Sequence, residues 1–432
     1  MVMTSDSELM QETKRRKRVF ARRSQSRSVR RSLTAAHRWA SLVVGLLLVV
    51  VVASGVPLLW SGDYFRATNA DLYQQTATAD PLTPGEALES VKDRYPDVTL
   101  GWVIPDRGIY LVTDAAFKTV YGVDSGSGRI TGTGEYYGGF MGLMWNLHAS
   151  GLSDSTYPGH VPALGTPLPD VGVQELAGLP LGAFLVSMTG LWLLLLVVTG
   201  AIMWWPGVRR VAGAWRVRWK SGAYLRSRDL HKVVGATAIP FLLMWGITGA
   251  AMHFPSVQKA WLSVTGGNPA QIKRLNYDFS SHPTPTAKDI GLDAAAAAAL
   301  AVEPGRVTMS RVPDAADPSS AYLFDISQEG RDPYSKALLT GNTYVYVDKY
   351  DSTRTKVVWN GEGDTASNTF YEQKMYPSHF GWYVGPWVRI VWAVFGLAPL
   401  VLAITGCLTW LTRIRKRRAQ RSRVQARAAA IE

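Results

Sequence analysis

Residues 39–62 read WASLVVGLLLVVVVASGVPLLWSG, an apolar run bounded by Arg38 and Asp63. About 20 apolar residues of helix cross a bilayer core, so this run is long enough to span one. Three similar runs follow: FLVSMTGLWLLLLVVTGAIMWW at 184–205, VVGATAIPFLLMWGITGAAMHF at 233–254 and IVWAVFGLAPLVLAITGCLTWLT at 390–412. A buried helix of a soluble domain rarely runs this far without a charge. The chain therefore reads as an α-helical integral membrane protein with four transmembrane helices, at 37–61, 179–206, 231–254 and 384–412.

Lysine and arginine distribution sets the expected orientation. The N-terminal tail 1–36, the connection 207–230 and the C-terminal tail 413–432 hold 25 Lys/Arg against five Asp/Glu. The two long loops, 62–178 and 255–383, hold 18 Lys/Arg against 28 Asp/Glu. Both termini and the short connection are thus expected in the cytoplasm, and both long loops outside. The net charge of +13 is then a positive-inside bias with some attraction to anionic lipid, not a nucleic-acid signature. The first apolar run follows a basic segment and VVASG resembles a cleavage site, so a signal peptide is the competing reading. The single cysteine, Cys407, falls inside the fourth helix, which leaves no disulfide framework for the outer loops.

The chain repeats itself. His37-Arg38 and His231-Lys232 open the first and third helices, and Gly55 and Gly249 follow 18 residues later. Gly190 and Gly200 in the second helix match Gly396 and Gly406 in the fourth, within the phrases VVTGAIMWW and AITGCLTWL. Each helix pair encloses a loop of more than a hundred residues, too long and too patterned for a linker. In the first loop, LTPGEALESVKDRYP reads as a short amphipathic helix with a Thr cap and an early Pro. The strand-like runs VTLGWVI, GIYLVTD and TVYGVDSGSGRITG come next. The second loop repeats the order, with TAKDIGLDAAAAAALAV before RVTMSRV, AYLFDIS and TYVYVDKYDSTRTKVV. The expectation is two tandem helix pairs, each enclosing a small α+β domain, with the first helix retained as a structural member.

Four of the seven histidines occupy repeated positions. His37 and His231 begin helices 1 and 3, while MWNLHASG and MYPSHFGW place His148 and His379 upstream of helices 2 and 4. The second match is looser, because about 25 extra residues separate His148 from its helix. Two readings stand. One is interfacial packing of amphipathic side chains at headgroup level. The other is a pair of bis-His haem sites, in which neutral imidazoles reach one iron from opposite sides on neighbouring helices. Zinc would draw further cysteine or carboxylate ligands, and no such cluster accompanies these residues. His253 is about 33 Å of helix from His231 and is an alternative outer ligand, although its repeat counterpart is Leu59. Arg389, at the mouth of helix 4, either snorkels or faces a haem propionate or another anion. His160 and His282 lie in Pro/Gly-rich loop sequence and read as surface residues. Tyr136, Tyr137, Phe140 and Trp145 suit either a substrate cleft or ordinary packing. No P-loop, zincin motif, nucleophile elbow or nicotinamide or flavin fingerprint is found, so any electron donor is a separate molecule.

AAHRWASLVVGLLL, DLHKVVGATAIPFLLMWGITG and SHFGWYVGPWVRIVWAVFGLAPLVLAITG resemble the PepSY-associated transmembrane family, and LTPGEALESVKDRYP with VYGVDSGSGRITG resembles the PepSY module. The resemblance covers roughly residues 33–415. It implies a bacterial inner-membrane protein similar to ferric-siderophore reductases, with two b-type haems, one near each membrane face, and a ferric complex bound outside. It further implies His37 and His231 as inner axial ligands, and His148 and His379 as outer ones. The insertion STYPGHVPALGTPLPDVG after His148 departs from the family pattern. The leading expectation is haem-dependent electron transfer from a cytoplasmic or membrane donor to an outer ferric siderophore. The alternative is a non-enzymatic PepSY anchor that binds a secreted peptidase, a peptide or a metal complex. A third reading is a reductase for copper or a quinone.

Overall fold

The computed structural model describes residues 5–205, 207–272, 279–284, 286–328, 343–359, 365–381 and 386–429, with side chains from residue 28 onward except at 359, 373, 386 and 427–429. The expected boundary at 383/384 lies outside the described residues. Among the described residues four helices are long and apolar enough to cross a membrane: Ser28–Leu58, Leu181–Trp204, Ala223–Ala251 and Trp387–Ala426. Their outward faces are apolar. Val43, Leu46 and Trp387 are 78%, 79% and 80% exposed, which suits a lipid surround and would be costly in water. This is a membrane protein with four apolar helices.

In chain order the helices are α1 (Ser5–Leu58), α2 (Ser61–Thr68), α3 (Pro84–Arg94), α4 (Gly139–Trp145), α5 (Leu181–Trp204), α6 (Val211–Ala214) and α7 (Ala223–Ala251). They continue with α8 (Pro255–Val264), α9 (Leu292–Val302), α10 (Ala366–Phe370), α11 (Tyr376–His379), α12 (Pro386–Gly396) and α13 (Ala398–Ala429). The basic tails are not separate coils: α1 and α13 continue well beyond their apolar runs. The fourth span is broken at Leu397, where Pro399 has no N–H to bond the preceding turn.

The chain divides into two compact units. The first comprises Met1–Val49, Thr189–Gly246 and Leu397–Glu432. Within it α5 and α7 approach closely at Gly246, where a Cβ would lie 2.8 Å from Leu194 and 3.2 Å from the Gly190 carbonyl. Small residues permit such approaches between membrane helices. Buried Asp229 near the start of α7 accepts two bonds from Arg218, at 2.6 and 2.8 Å, which fastens the basic connection to the helix.

The second unit comprises Val50–Met188 and Ile247–Gly396 and contains all the strands among the described residues. These are β1 (Leu100–Asp106), β2 (Ile109–Asp114), β3 (Thr119–Asp124), β4 (Ile130–Glu135), β5 (Arg306–Arg311), β6 (Tyr322–Ser327), β7 (Thr343–Val347) and β8 (Thr355–Trp359). Each loop supplies a helix followed by a four-stranded antiparallel meander, as the sequence pattern predicts. The two meanders are not separate domains. They form one sheet in the order β4-β3-β2-β1-β5-β6-β7-β8, joined where Trp102 and Val103 pair with Arg311 and Ser310. The physical reason is a shared core. Ala87, Leu88 and Val91 of α3 and Leu292, Ala295 and Ala299 of α9 pack in one buried cluster, together with Val103, Val112, Phe324 and Val345 of the sheet. Neither loop alone would cover that face. The opposite face is covered as well, by Phe65, Leu72 and Tyr136 against Ile104, Leu111 and Val120.

The capping box of α3 forms as expected, with Thr83 accepting from Glu86 N at 3.2 Å and Glu86 accepting from Thr83 N at 2.8 Å. Asp293, in the first turn of α9, also accepts from Gly85 N (2.8 Å) and Thr83 Oγ1 (2.6 Å). One carboxylate thus serves the N-termini of both helices. Equivalent aspartates hold the last hairpin of each meander. Asp124 accepts from Thr76 N, Gly126 N and Ser127, and Asp348 from His282 N, Tyr350 N and Arg354.

Candidate functional site: two histidine pairs

The structure brings the four repeated histidines together two by two, each pair within one unit. In the first unit His37 of α1 and His231 of α7 meet edge to face, with ring centres 6.4 Å apart and planes at 85°. In the second, His148 follows α4 in the π-helical turn Asn146–Ser150 and His379 ends α11. Their ring centres are 6.0 Å apart with planes at 54°. A second π-helical turn, Tyr371–Met375, precedes α11. Such turns recur where a helix has been reshaped to present a functional side chain.

The Nδ1 side of every ring is engaged. His37 Nδ1 lies 2.9 Å from Thr199 Oγ1. Thr199 already donates its own proton to the Leu195 carbonyl at 2.7 Å, so it accepts from the imidazole. His231 Nδ1 lies 3.0 Å from both the Leu402 carbonyl and Thr405 Oγ1, and Thr405 donates to Val401. A carbonyl only accepts, which again places the proton on Nδ1. In the second unit His148 Nδ1 donates to the Val51 carbonyl at 2.6 Å, and His379 Nδ1 lies 2.7 Å from Thr248 Oγ1. On His37, His231 and His148 the proton fixed on Nδ1 leaves the Nε2 lone pair for a metal. This is the usual arrangement behind a ligating histidine. Burial holds the imidazolium pKa of His148 below the ordinary value. Burial, with a smaller contribution from His148, lowers that of His379 to about 3. Both rings are therefore neutral at pH 7, as ligation requires.

Each ring also rests on a glycine. A Cβ on Gly200 would sit 3.4 Å from His37 Cε1, and one on Gly406 would sit 3.6 Å from His231 Cε1. On Gly55 it would lie 2.5 Å from His148 Cε1, and on Gly249 3.2 Å from His379 Cε1. These are the glycines that align the repeats. Sequence reasoning marked them as register points and missed their role as seats. It also missed the residue before each of them: Ser54-Gly55, Thr199-Gly200, Thr248-Gly249 and Thr405-Gly406. A hydroxyl-glycine step recurs in every helix run, and the runs at 39–62 and 184–205 each hold a second one, Ser61-Gly62 and Thr189-Gly190. The three threonines at the aligned positions meet an imidazole Nδ1, and Ser54 donates to the Val51 carbonyl that His148 also uses. The recurrence of this step at the four aligned positions is the signal that could have found them.

The remaining candidates lie outside the pairs. His253 places Nε2 at 3.4 Å from the carbonyl of Ala149, next to His148, and so braces that turn. Arg389 is ion-paired with Asp63 at 2.5 Å, in a chain that runs on through Arg66 to Asp106 and Tyr73. The insertion after His148 is folded, not loose. Buried Asn146 binds the carbonyls of Asp154, Tyr157 and Pro158, and Tyr137 stacks on Trp145 at 4.5 Å. Tyr136 and Trp145 contribute to the same aromatic packing, whereas Phe140 is exposed. His282 is exposed and His160 is partly so.

A bis-His haem site can be tested against these distances. A metal–imidazole bond of about 2 Å and about 1.1 Å from ring nitrogen to ring centre place two axial imidazoles about 6.3 Å apart, centre to centre. The observed 6.4 and 6.0 Å bracket that value. Among the described residues no three His, Cys, Asp or Glu side chains converge as ligands for a bare ion. A haem needs only two from the protein, because the macrocycle supplies the rest. The residues fit the group.

No curated protein matches this chain. The model of the PepSY-associated TM region matches residues 34–413, nearly the whole chain, and the protein belongs to that family.

Proposed function

We propose that this protein is a membrane oxidoreductase that binds two b-type haems and passes electrons across the bilayer to a ferric complex, in the family reading a ferric siderophore. The observation that supports this most directly is the spacing of the two imidazole pairs, 6.4 and 6.0 Å between ring centres, with every Nδ1 already bonded. Haem, when bound, supplies the one-electron chemistry. The chain's own residues do the rest. His37 and His231 hold one group, and His148 and His379 the other. Thr199, the Leu402 carbonyl with Thr405, and the Val51 carbonyl fix the tautomers of His37, His231 and His148, and Thr248 holds the Nδ1 of His379. The four glycines leave room for the rings.

The charge asymmetry supports an orientation with both termini in the cytoplasm of a bacterium and the sheet domain outside. A donor from the cytoplasm or the membrane pool then meets the His37–His231 end, and the acceptor meets the sheet-domain side. Hard oxygen ligands favour Fe(III) over Fe(II), so reduction releases the metal.

The test is an absorption spectrum of the detergent-solubilised protein from haem-supplied cells. The expected result is a Soret band with sharp α and β bands after dithionite reduction, and reoxidation on adding a ferric siderophore. A colourless protein would sink the proposal and leave a PepSY scaffold that binds a peptide or peptidase. Reoxidation only by copper or a quinone would change the acceptor and keep the haem.

A further inference from the structure

Between α1, which carries His37, and α13, which orients His231, the first unit contains a cleft of about 400 Å³ lined by Arg30, Arg31, Thr34, Ala35 and Arg38 of α1 and Arg413 of α13. Four guanidinium groups share it. Among the described residues no carboxylate pairs with any of them. Arg30 donates to the Met203 carbonyl, and Arg38 Nε is buried without a hydrogen-bond partner. Four like charges in one cleft repel one another, and a buried donor without an acceptor is costly. Both features call for an anion with several acceptor oxygens, which guanidinium groups bind in a two-pronged fashion.

The position of the cleft narrows the choice of anion. Thr34 and Arg38 flank His37 within one turn of α1. Arg30 and Arg31 lie six to seven residues earlier, on the order of 10 Å along the helix. Arg413 lies eight residues beyond Thr405, the partner of His231, on the order of 12 Å along α13. The helix that carries one ligand and the helix that orients the other thus lead to the same cleft. A haem presents two carboxylates from one edge of its ring, directed away from the iron.

Resting on the haem reading above, we propose that this arginine cleft clamps the two propionate carboxylates of the haem held by His37 and His231. It sets which way round that haem sits, and by neutralising the carboxylates it raises the reduction potential. A phospholipid phosphate offers similar oxygens, and the test separates the two.

The protein is prepared from haem-starved cells as full-length chain in a His379→Ala background, so that a single pair titrates. It is titrated with haemin and with haemin dimethyl ester, which has the same ring and iron but no free carboxylates. The parent is expected to bind haemin at least about tenfold more tightly than the diester. Arg30→Gln/Arg31→Gln/Arg413→Gln is expected to bind both with the parent's affinity for the diester. Its haem is expected to titrate at a lower midpoint potential. Diester binding doubles as the folding control, because a misfolded variant loses both ligands. Equal affinities in the parent, or a preference for haemin that survives the triple substitution, would overturn the clamp. So would a variant that keeps haemin affinity while losing anionic lipid in nanodiscs of defined composition, which would make the cleft a lipid site. A parent that binds neither compound overturns the haem reading itself, so the two failures are distinguishable.

Discussion

The four glycine seats predict a graded series. Gly→Ala inside a helix is ordinarily stabilising, by about 1 kcal/mol. Here the new methyl would lie 2.5 Å from His148 for Gly55, 3.2 Å from His379 for Gly249, 3.4 Å from His37 for Gly200 and 3.6 Å from His231 for Gly406. Ordinary carbon contacts lie at about 3.5–4.0 Å. Gly55→Ala must therefore push the His148 ring by about 1 Å, whereas a metal–nitrogen bond tolerates about 0.2 Å. The ring cannot simply slide along the helix, because the Val51 carbonyl on the same turn holds its Nδ1. The fold survives, since a side-chain tip can move, but the ligand is lost. Gly249→Ala demands a shift of a few tenths of an ångström and is expected to weaken its site. Gly200→Ala and Gly406→Ala are expected to be nearly silent. The assay is haem per polypeptide together with the low-spin signal of the oxidised protein. Gly55→Ala should lose about half of both, while its melting temperature holds or rises. Full haem in Gly55→Ala, or equal losses at Gly55 and Gly406, would refute the seating argument.

Removing a hydrogen-bond partner of Nδ1 should act through the ligand. Thr199→Val and Thr248→Val are each expected to lower haem affinity at their own site by about 10–100-fold, measured by haemin titration. Thr405→Val should be milder, because the Leu402 carbonyl still accepts from His231. Asp124 and Asp348 predict an acid response of the sheet domain. Burial opposes their ionisation, but the hydrogen bonds to Asp124 from Ser127, Thr76 and Gly126 outweigh it, as do those to Asp348 from Tyr350, Arg354 and His282. Both carboxyls are thereby held below the usual range. The stability they add is present above the unfolded carboxylate pKa of about 4 and is lost as pH falls toward the folded value. Asp124→Asn should cost about 1.5–3 kcal/mol at pH 7 and flatten the pH dependence below pH 4, followed by thermal unfolding.

Much of the fold is legible because the bilayer imposes a long-range rule on composition, and spans and repeats are read by counting. The helix-then-strands order of each loop is local in the same way, down to the Thr83 cap. The joining of the two meanders is not local. Nothing in RVTMSR announces that Arg311 will pair with Trp102, and only the shared core between α3 and α9 explains why one sheet replaces two. The histidines were visible as repeated positions, but their partners were hidden for a chemical reason. A membrane threonine beside a glycine reads as helix packing, and its hydroxyl is expected to bond back along its own helix. Thr199 does so, and because its proton is used there its oxygen is free to receive the imidazole.

Each histidine pair draws one ring from each half of the chain, which gives the last prediction. His37 and His231 are corresponding residues of the repeat, and so, by their Met-x-x-x-His phrases, are His148 and His379. If each pair is one site, neither half holds a complete site. His37→Ala and His231→Ala must then empty the same site. Each should lose about half the haem, and the double variant no more than either single one, the non-additivity expected of residues acting as a unit. His148→Ala with His379→Ala should behave likewise at the other site. His37→Ala combined with His379→Ala should instead lose nearly all the haem, although it removes the same number of imidazoles. Two substitutions in the same half, His37→Ala with His148→Ala, should do the same. If losses simply followed the number of histidines removed, whichever pair was chosen, the geometric pairing would be wrong and interfacial packing would account for the rings. If they follow the pairing, the duplication is functional as well as ancestral, because a single copy would have one hand at each site and nothing to close it.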